Sequence, residues 1–118
     1  MGRGRNRRGV THDQVRELFS RLPGVEESAS RGWSAFRVNG KIIGRFRQDE
    51  ESFALKCDYS TREVLMGTNP ESFYLTDHYR CYPWVLVRLS KVERGLLQSL
   101  IEDAWRKLAP KRLLLLKN

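Results

Sequence analysis

Nine residues, Thr76 to Trp84 ("TDHYRCYPW"), place a carboxylate, an imidazole, two phenols, a guanidinium, a thiol and an indole in one short run. Nucleophilic catalysis by cysteine needs a thiolate beside a base that a third group orients. Cys81 and His78 stand three residues apart, but no third group accompanies them on what reads as a connecting loop. A zinc site needs four ligands, and one aspartate, one histidine and one cysteine do not complete it. The second cysteine, Cys57, fits no metal or disulfide spacing with Cys81, and the other histidine, His12, opens the first helix. No catalytic residue, metal or cofactor is therefore expected. Recognition remains: Arg80 at the loop tip is placed to meet an anion, with His78 and Tyr79 beside it. The alternatives are a structural hydrogen bond from His78 to a loop carbonyl, and ring packing by Tyr79 and Tyr82.

The elements that would position this loop are legible from periodicity. In "THDQVRELFSRL", Thr11 and Gln14 form a capping-box pair, and Val15, Leu18, Phe19 and Leu22 share one helical face until Pro23-Gly24 stops it. "WSAFRVNGKIIGRFR" reads as a hairpin around Asn39-Gly40. A three-residue loop with Gly40 as a bulge would gather Phe36, Ile42, Gly44 and Phe46 on one face and Arg37, Lys41, Arg45 and Arg47 on the other. That register separates apolar from charged residues, so it is the one expected. "SFALKCD" sets Phe53, Leu55 and Cys57 against Ala54, Lys56 and Asp58.

"STREVLMG" reads as a short helix capped by Ser60 and Glu63 and ended by Gly67, and "ESFYLT" and "WVLVRL" as two further strands. The second of these sets Val85, Val87 and Leu89 against Trp84, Leu86 and Arg88. Ser90 and Glu93 would cap a final helix whose stripe of Leu97, Leu100, Ile101, Ala104, Trp105 and Leu108 runs to Pro110. Cys57 and Trp105 fall on apolar faces as core residues. One-sided strands imply an antiparallel sheet with helices on its apolar face and the other face wet.

The formal charge of +8 is unevenly placed. Four of the 22 basic residues lie in the first nine positions and three in the last eight, leaving fifteen against fourteen acids between them. The high pI thus belongs mostly to the ends. "MGRGRNRRG" reads as a flexible arm over residues 1–10, either neutralising phosphates or merely solubilising. Residues 11–113 form one domain and 114–118 a tail. No apolar run approaches the roughly 20 residues of a membrane helix and no apolar segment follows the basic start, so a cytoplasmic protein without a membrane partner is expected.

With "LPGVEES" (22–28), "FRVNGKI" (36–42), "ALKCD" (54–58), "FYLTDHYRCYPWVLVRL" (73–89) and "AWRKLAPKRL" (104–113) in view, the chain resembles the MmcQ/YjbR family from Thr11 to Leu113. The resemblance implies a CyaY-like α+β fold: an antiparallel sheet with N- and C-terminal helices packed on one face, in the order α-β-β-β-α-β-β-α. It also implies DNA binding through a double-wing likeness, with no enzymatic activity or cofactor. Lys41, His78, Tyr79, Arg80, Leu89 and Trp105 fall on motif positions. Cys81 stands where a small residue, commonly glycine, is usual, and the arginine-rich arm lies outside the pattern. The fold's likeness to frataxin would suggest iron, but that activity goes with an acidic surface and "VRELFSRL" is mixed, so iron is not expected.

The wet sheet face is where the bottom-up reading and the resemblance meet. Arg37, Lys41, Arg45, Arg47, Lys56 and Arg88 are assigned to it, with Asp58 its one acid and Trp33 and Trp84 nearby. Cations on a strand surface contact phosphates, and indoles stack on bases. The expected partner is DNA or another polyanion, bound non-enzymatically with low sequence specificity. The contacts expected are those cations together with His78, Tyr79, Arg80 and Trp84. A small interaction or anion-binding module, or plain solvation of the face, is the alternative.

Overall fold

The computed structural model describes residues 8–30 and 32–117. In order they form α1 (His12–Ser20), β1 (Glu26–Ser30), β2 (Trp33–Val38), β3 (Lys41–Phe46), β4 (Ser52–Lys56) and α2 (Tyr59–Thr68). After these come β5 (Phe73–Tyr74), a 3-10 turn (Asp77–Tyr79), β6 (Trp84–Arg88), α3 (Arg94–Leu108) and α4 (Lys111–Lys117). The six strands make one sheet in the order β1-β2-β3-β4-β6-β5, every neighbouring pair antiparallel. The α+β class with terminal helices is as expected, with one more strand than the expected order. "EESAS" carries no apolar alternation because it is an edge strand: its backbone pairs with β2, and Glu27 bonds Arg16 of α1 at 2.9 Å.

The main core lies between the sheet and the helices. Val15, Leu18 and Phe19 of α1 and Leu97, Leu100, Ile101, Ala104 and Trp105 of α3 pack there against Phe36, Val38, Ile43, Phe46, Phe53, Leu55, Val85 and Val87. Phe19 stacks on Phe36 with centroids 4.1 Å apart, and the Trp105 indole donates to the Pro23 carbonyl at 2.9 Å. The Thr11–Gln14 capping box forms as read from the sequence.

The hairpin differs from expectation in register. Asn39 and Gly40 both have positive φ (53° and 77°), and Val38 pairs with Lys41. This is the two-residue loop that an Asn-Gly pair favours. The irregularity falls one step later: Arg37 pairs with Ile42 but Phe36 with Gly44, so Ile43 is the extra residue of a bulge. Charge and core still separate, but Ile43 is buried in place of Ile42. Lys41 pairs with core-facing Val38, so it stands at the hairpin tip on the helix side and leaves the outer face. Gly44 is required where it is, since a methyl group there would collide with the Phe53 ring.

Helix starts shift for identifiable reasons. Asp58 caps α2, accepting from Thr61 N–H at 2.8 Å, because a carboxylate immediately before the helix outcompetes Ser60. Gly67 lies inside the last turn and Asn69 ends the helix. Ser90 does not cap α3; Glu93 does so without a side-chain bond. The turn before α3 instead receives the chain start: Val10 N donates to Leu89 O at 2.7 Å and Gly9 N to Val92 O at 2.8 Å. Val10 is 6% exposed, so packed structure begins before Thr11; the rest of the expected arm, residues 1–7, lies outside the described residues. The chain beyond Leu113 continues as α4 rather than a tail. The strand expected over "ESFYLT" shrinks to two residues at the far edge.

Asp58 also accepts from Lys107 Nζ of α3 at 2.6 Å. That bond foremost, with the Thr61 donors, holds its carboxyl well below the ordinary carboxylate range. A folded-state value below the unfolded one stabilises the protein above pH ~4 and loses that contribution as pH falls through the folded value. Asp58→Asn keeps a capping oxygen but removes the charge. Urea denaturation at pH 7 and pH 2.5 should show it less stable than wild type at pH 7, with a smaller loss on acidification. Equal acid losses would mean the ion pair is not felt.

Candidate functional site

The outer sheet face is not uniformly wet. The chain from Leu75 to Trp84 folds across it, and Tyr79 (7% exposed) closes over Ala54 and Leu86 to form a second, small core flanked by Tyr74, Leu75 and Trp84. This segment makes turn bonds of its own, such as Tyr79 N to Thr76 O and Tyr82 N to Tyr79 O, and Arg62 of α2 ties it to the helix. The guanidinium, on a residue 8% exposed, donates to the carbonyls of Tyr82 at 2.8 Å, Arg80 at 3.1 Å, Trp84 at 3.2 Å and Tyr79 at 3.4 Å. Its other flank lies over the Tyr59 ring at 4.8 Å, and the Tyr59 hydroxyl donates to Cys81 O at 2.7 Å. Among the described residues Arg62 has no carboxylate partner. Both of its terminal nitrogens are bonded to loop carbonyls instead.

The residues so positioned arrange the cations of the sheet. Arg45 Nη2 donates to the Tyr79 hydroxyl at 2.9 Å. Arg47, just past β3, donates to the Tyr74 hydroxyl at 3.4 Å and lies over the Tyr79 ring at 5.7 Å. Lys56 lies over Trp84 at 5.7 Å, and Arg88 over Tyr74 at 4.1 Å. Where Arg45 and Arg47 converge there is a cleft of about 330 Å³, lined by Trp33, Arg45, Arg47, Gln48, His78 and Tyr79. No carboxylate lines it. Asp49 is near, 3.7 Å from Arg47, but bonds mainly into its own turn at Glu51 N and Ser52 N.

At α1 and α3 the cations are paired with acids. Arg16, Arg21, Arg94, Arg106 and Lys107 on the helices each bond a carboxylate. On the outer face, Arg37, Arg45, Lys56 and Arg88 have no carboxylate within salt-bridge distance among the described residues; aromatic rings take that place for Lys56 and Arg88, and the Tyr79 hydroxyl for Arg45. An arginine or lysine on a ring face keeps its charge and most of its donors.

The expected contact residues thus divide. Arg45, Arg47, His78 and Tyr79 meet at the cleft, joined by Trp33 and by Gln48, which nothing in the sequence singled out. Lys56 and Trp84 form a neighbouring pair on the same face. Arg37 lies further along β2 and donates to Ser28 at 3.2 Å. Arg88 is spent on the Pro70 and Glu71 carbonyls, both at 3.2 Å, and Arg80 on exposed Asp77 at 3.1 Å. Lys41 is on the other side of the hairpin. Asp58, expected on this face, is instead the α2 cap. His78 makes no side-chain bond to a loop carbonyl; its ring meets Tyr79 edge-on at 4.9 Å. Arg62 escaped notice, although an arginine three and four residues before Leu65 and Met66 occupies an apolar-stripe position, which is a readable signal of a buried cation.

The loop's thiol, Cys81, is exposed. Cys57 packs against the main core, and burial foremost, with Asp58 beside it, pushes its thiol up to about 11, so at neutral pH it is protonated and unreactive. Among the described residues no cluster of three or more metal-ligating side chains occurs.

Comparison with known proteins agrees with this architecture. The family model described as YjbR matches residues 20–107. Uncharacterized proteins of Mycobacterium bovis and Mycobacterium tuberculosis are 30% identical over 122 residues, covering 88% of this chain and 92% of theirs. The crystal structure of a Deinococcus radiodurans protein with a DUF419 domain superposes with a TM-score of 0.74. It covers 86% of this chain and 80% of that one at 24% identity, a likeness of fold.

The geometry makes Arg62 testable apart from any ligand. Arg62→Leu leaves four carbonyls without their donor, and at about 1.5–3 kcal/mol for bonds from a charged group with partial rehydration it should lower unfolding stability by roughly 2 kcal/mol. Amide exchange should rise selectively over residues 79–84. Arg62→Lys should not rescue, because one ammonium cannot span the four acceptors. Unchanged exchange in that segment would remove Arg62 from this role.

Proposed function

The chain belongs to the YjbR family, and on that premise we propose that it is a non-enzymatic, cytoplasmic, DNA-binding protein of low sequence specificity that uses the outer sheet face. The single observation that supports this is the contrast in charge pairing: the cations of α1 and α3 are matched by carboxylates, while Arg37, Arg45 and Lys56 on the sheet are presented without them among the described residues. Cations left unmatched on one face attract phosphates through counterion release rather than base reading. Trp33 and Trp84 add flat surfaces next to them. Low specificity follows from α3, which spends its apolar stripe on the core and leaves no helix to enter a groove. The two free thiols suit a reducing compartment. The arginines before Arg8 would add contacts of the same non-specific kind.

Duplex DNA affinity measured by anisotropy against salt tests the reading. With Arg88 and Arg80 engaged internally, three to four phosphates neutralised by Arg37, Arg45, Arg47 and Lys56 predict a log–log slope of about −3 to −4. Arg37→Glu/Arg45→Glu should flatten that slope by about two and weaken binding at low salt more than tenfold. Removal of residues 1–7 should cost less. Should the reversal leave affinity unchanged while the truncation abolishes it, the sheet is not the binding surface. If the intact protein does not bind at low salt, the face serves a small anion or a protein partner instead.

A further inference from the structure

A surface that only tracks a phosphate backbone has no use for a cleft, and the one beside Tyr79 is built from unlike parts that converge. Arg45 and Arg47 are two apart on one strand and its extension, so both project from the outer face. Tyr79 fixes both: its hydroxyl accepts from Arg45 at 2.9 Å, and its ring underlies Arg47 at 5.7 Å. Arg45 spends one donor there and has no carboxylate within 4 Å among the described residues, which leaves most of its fork free. Gln48 and His78 offer further polar groups, and Trp33 supplies an apolar wall.

Two guanidiniums held in place match the charge and the paired oxygens of a dianionic phosphate. At about 330 Å³ the cleft exceeds what a bare phosphate needs and falls at the small end of ligand sites, roughly 300–1,000 Å³. An indole wall is the partner a nucleobase takes. We infer that this cleft binds a nucleoside phosphomonoester, with the phosphate between Arg45 and Arg47 and the base against Trp33. The ligand is either a free mononucleotide or the phosphorylated 5′ end of a strand. The inference deepens the reading of the same face as a nucleic-acid surface, but it fails or stands separately.

Calorimetry with adenosine 5′-monophosphate, adenosine, and a ten-nucleotide single strand with and without its 5′-phosphate tests it. The nucleotide should bind at least tenfold tighter than adenosine, and the 5′-phosphate should raise strand affinity at least fivefold. Arg45→Met should erase both gains; Arg47→Met serves if that variant does not fold by circular dichroism. Trp33→Leu should weaken the nucleotide but not inorganic phosphate, and Lys91→Met, a charge removed elsewhere, should change nothing. A nucleotide that binds tighter than the phosphorylated strand marks the free ligand as the target, and the reverse marks the strand end. No preference for the nucleotide over adenosine, or gains that survive both arginine variants, overturns the inference. Strand binding indifferent to the 5′-phosphate, with no preference for the nucleotide over adenosine, sinks it while sparing the face reading; nucleotide binding without strand binding does the opposite.

Discussion

A buried guanidinium without a carboxylate is costly unless its donors find other partners, and at Arg62 both terminal nitrogens bond the backbone of the segment it holds. Four carbonyls between Tyr79 and Trp84 converge on one side chain of α2. That convergence presses Tyr79 onto Ala54 and Leu86 and turns a connection between two strands into a cover for half of the sheet. The dependence runs in sequence: Arg62 places the loop, the loop places the Tyr79 ring and hydroxyl, and those place Arg45 and Arg47. The cleft and its cations are third in that line, although no described residue of α2 lines the cleft.

The two sides of the sheet manage charge differently. On the helix side, the cations of α1 and α3 are balanced locally, as in Arg16–Glu27 and Lys107–Asp58. On the outer side, Arg47, Lys56 and Arg88 rest on tyrosine or tryptophan rings, which orient a cation without neutralising it. The chain's overall excess of positive charge, concentrated toward its ends, therefore says less about binding than the distribution of pairing across the fold.

Much of this architecture was legible in the sequence. Local signals sufficed where an element's own pattern decides it: the Thr11–Gln14 box, the α3 stripe, the alternation of Phe53–Leu55 and Val85–Val87. What eluded pattern reading depends on tertiary partners. β1 has no apolar period because its stability comes from pairing and from Arg16. The hairpin bulge at Ile43 brings Gly44 opposite Phe36 and beneath the Phe53 ring, while the Asn-Gly turn keeps its own preferred two-residue form. Ser90 yields its capping role because its turn receives Gly9 and Val10. Of the candidate site, Arg45 of β3 and Lys56 of β4 lie on the outer face, as alternation implies. Lys41 was misassigned with the register, and Arg80 and Arg88 were counted as free when neighbouring groups engage them. The cover over the outer face was invisible because it hangs on one arginine in a helix that reads as ordinary.

The central claim is that Arg62 prepares the anion surface at a distance. A double-mutant cycle on DNA affinity between Arg62→Leu and Arg45→Met, both confirmed folded by circular dichroism, measures it directly. Arg62→Leu should weaken binding severalfold in the wild-type background and have little further effect once Arg45 is gone, a coupling of at least about 1 kcal/mol. Additive losses, or an Arg62→Leu variant that binds like wild type, would contradict it.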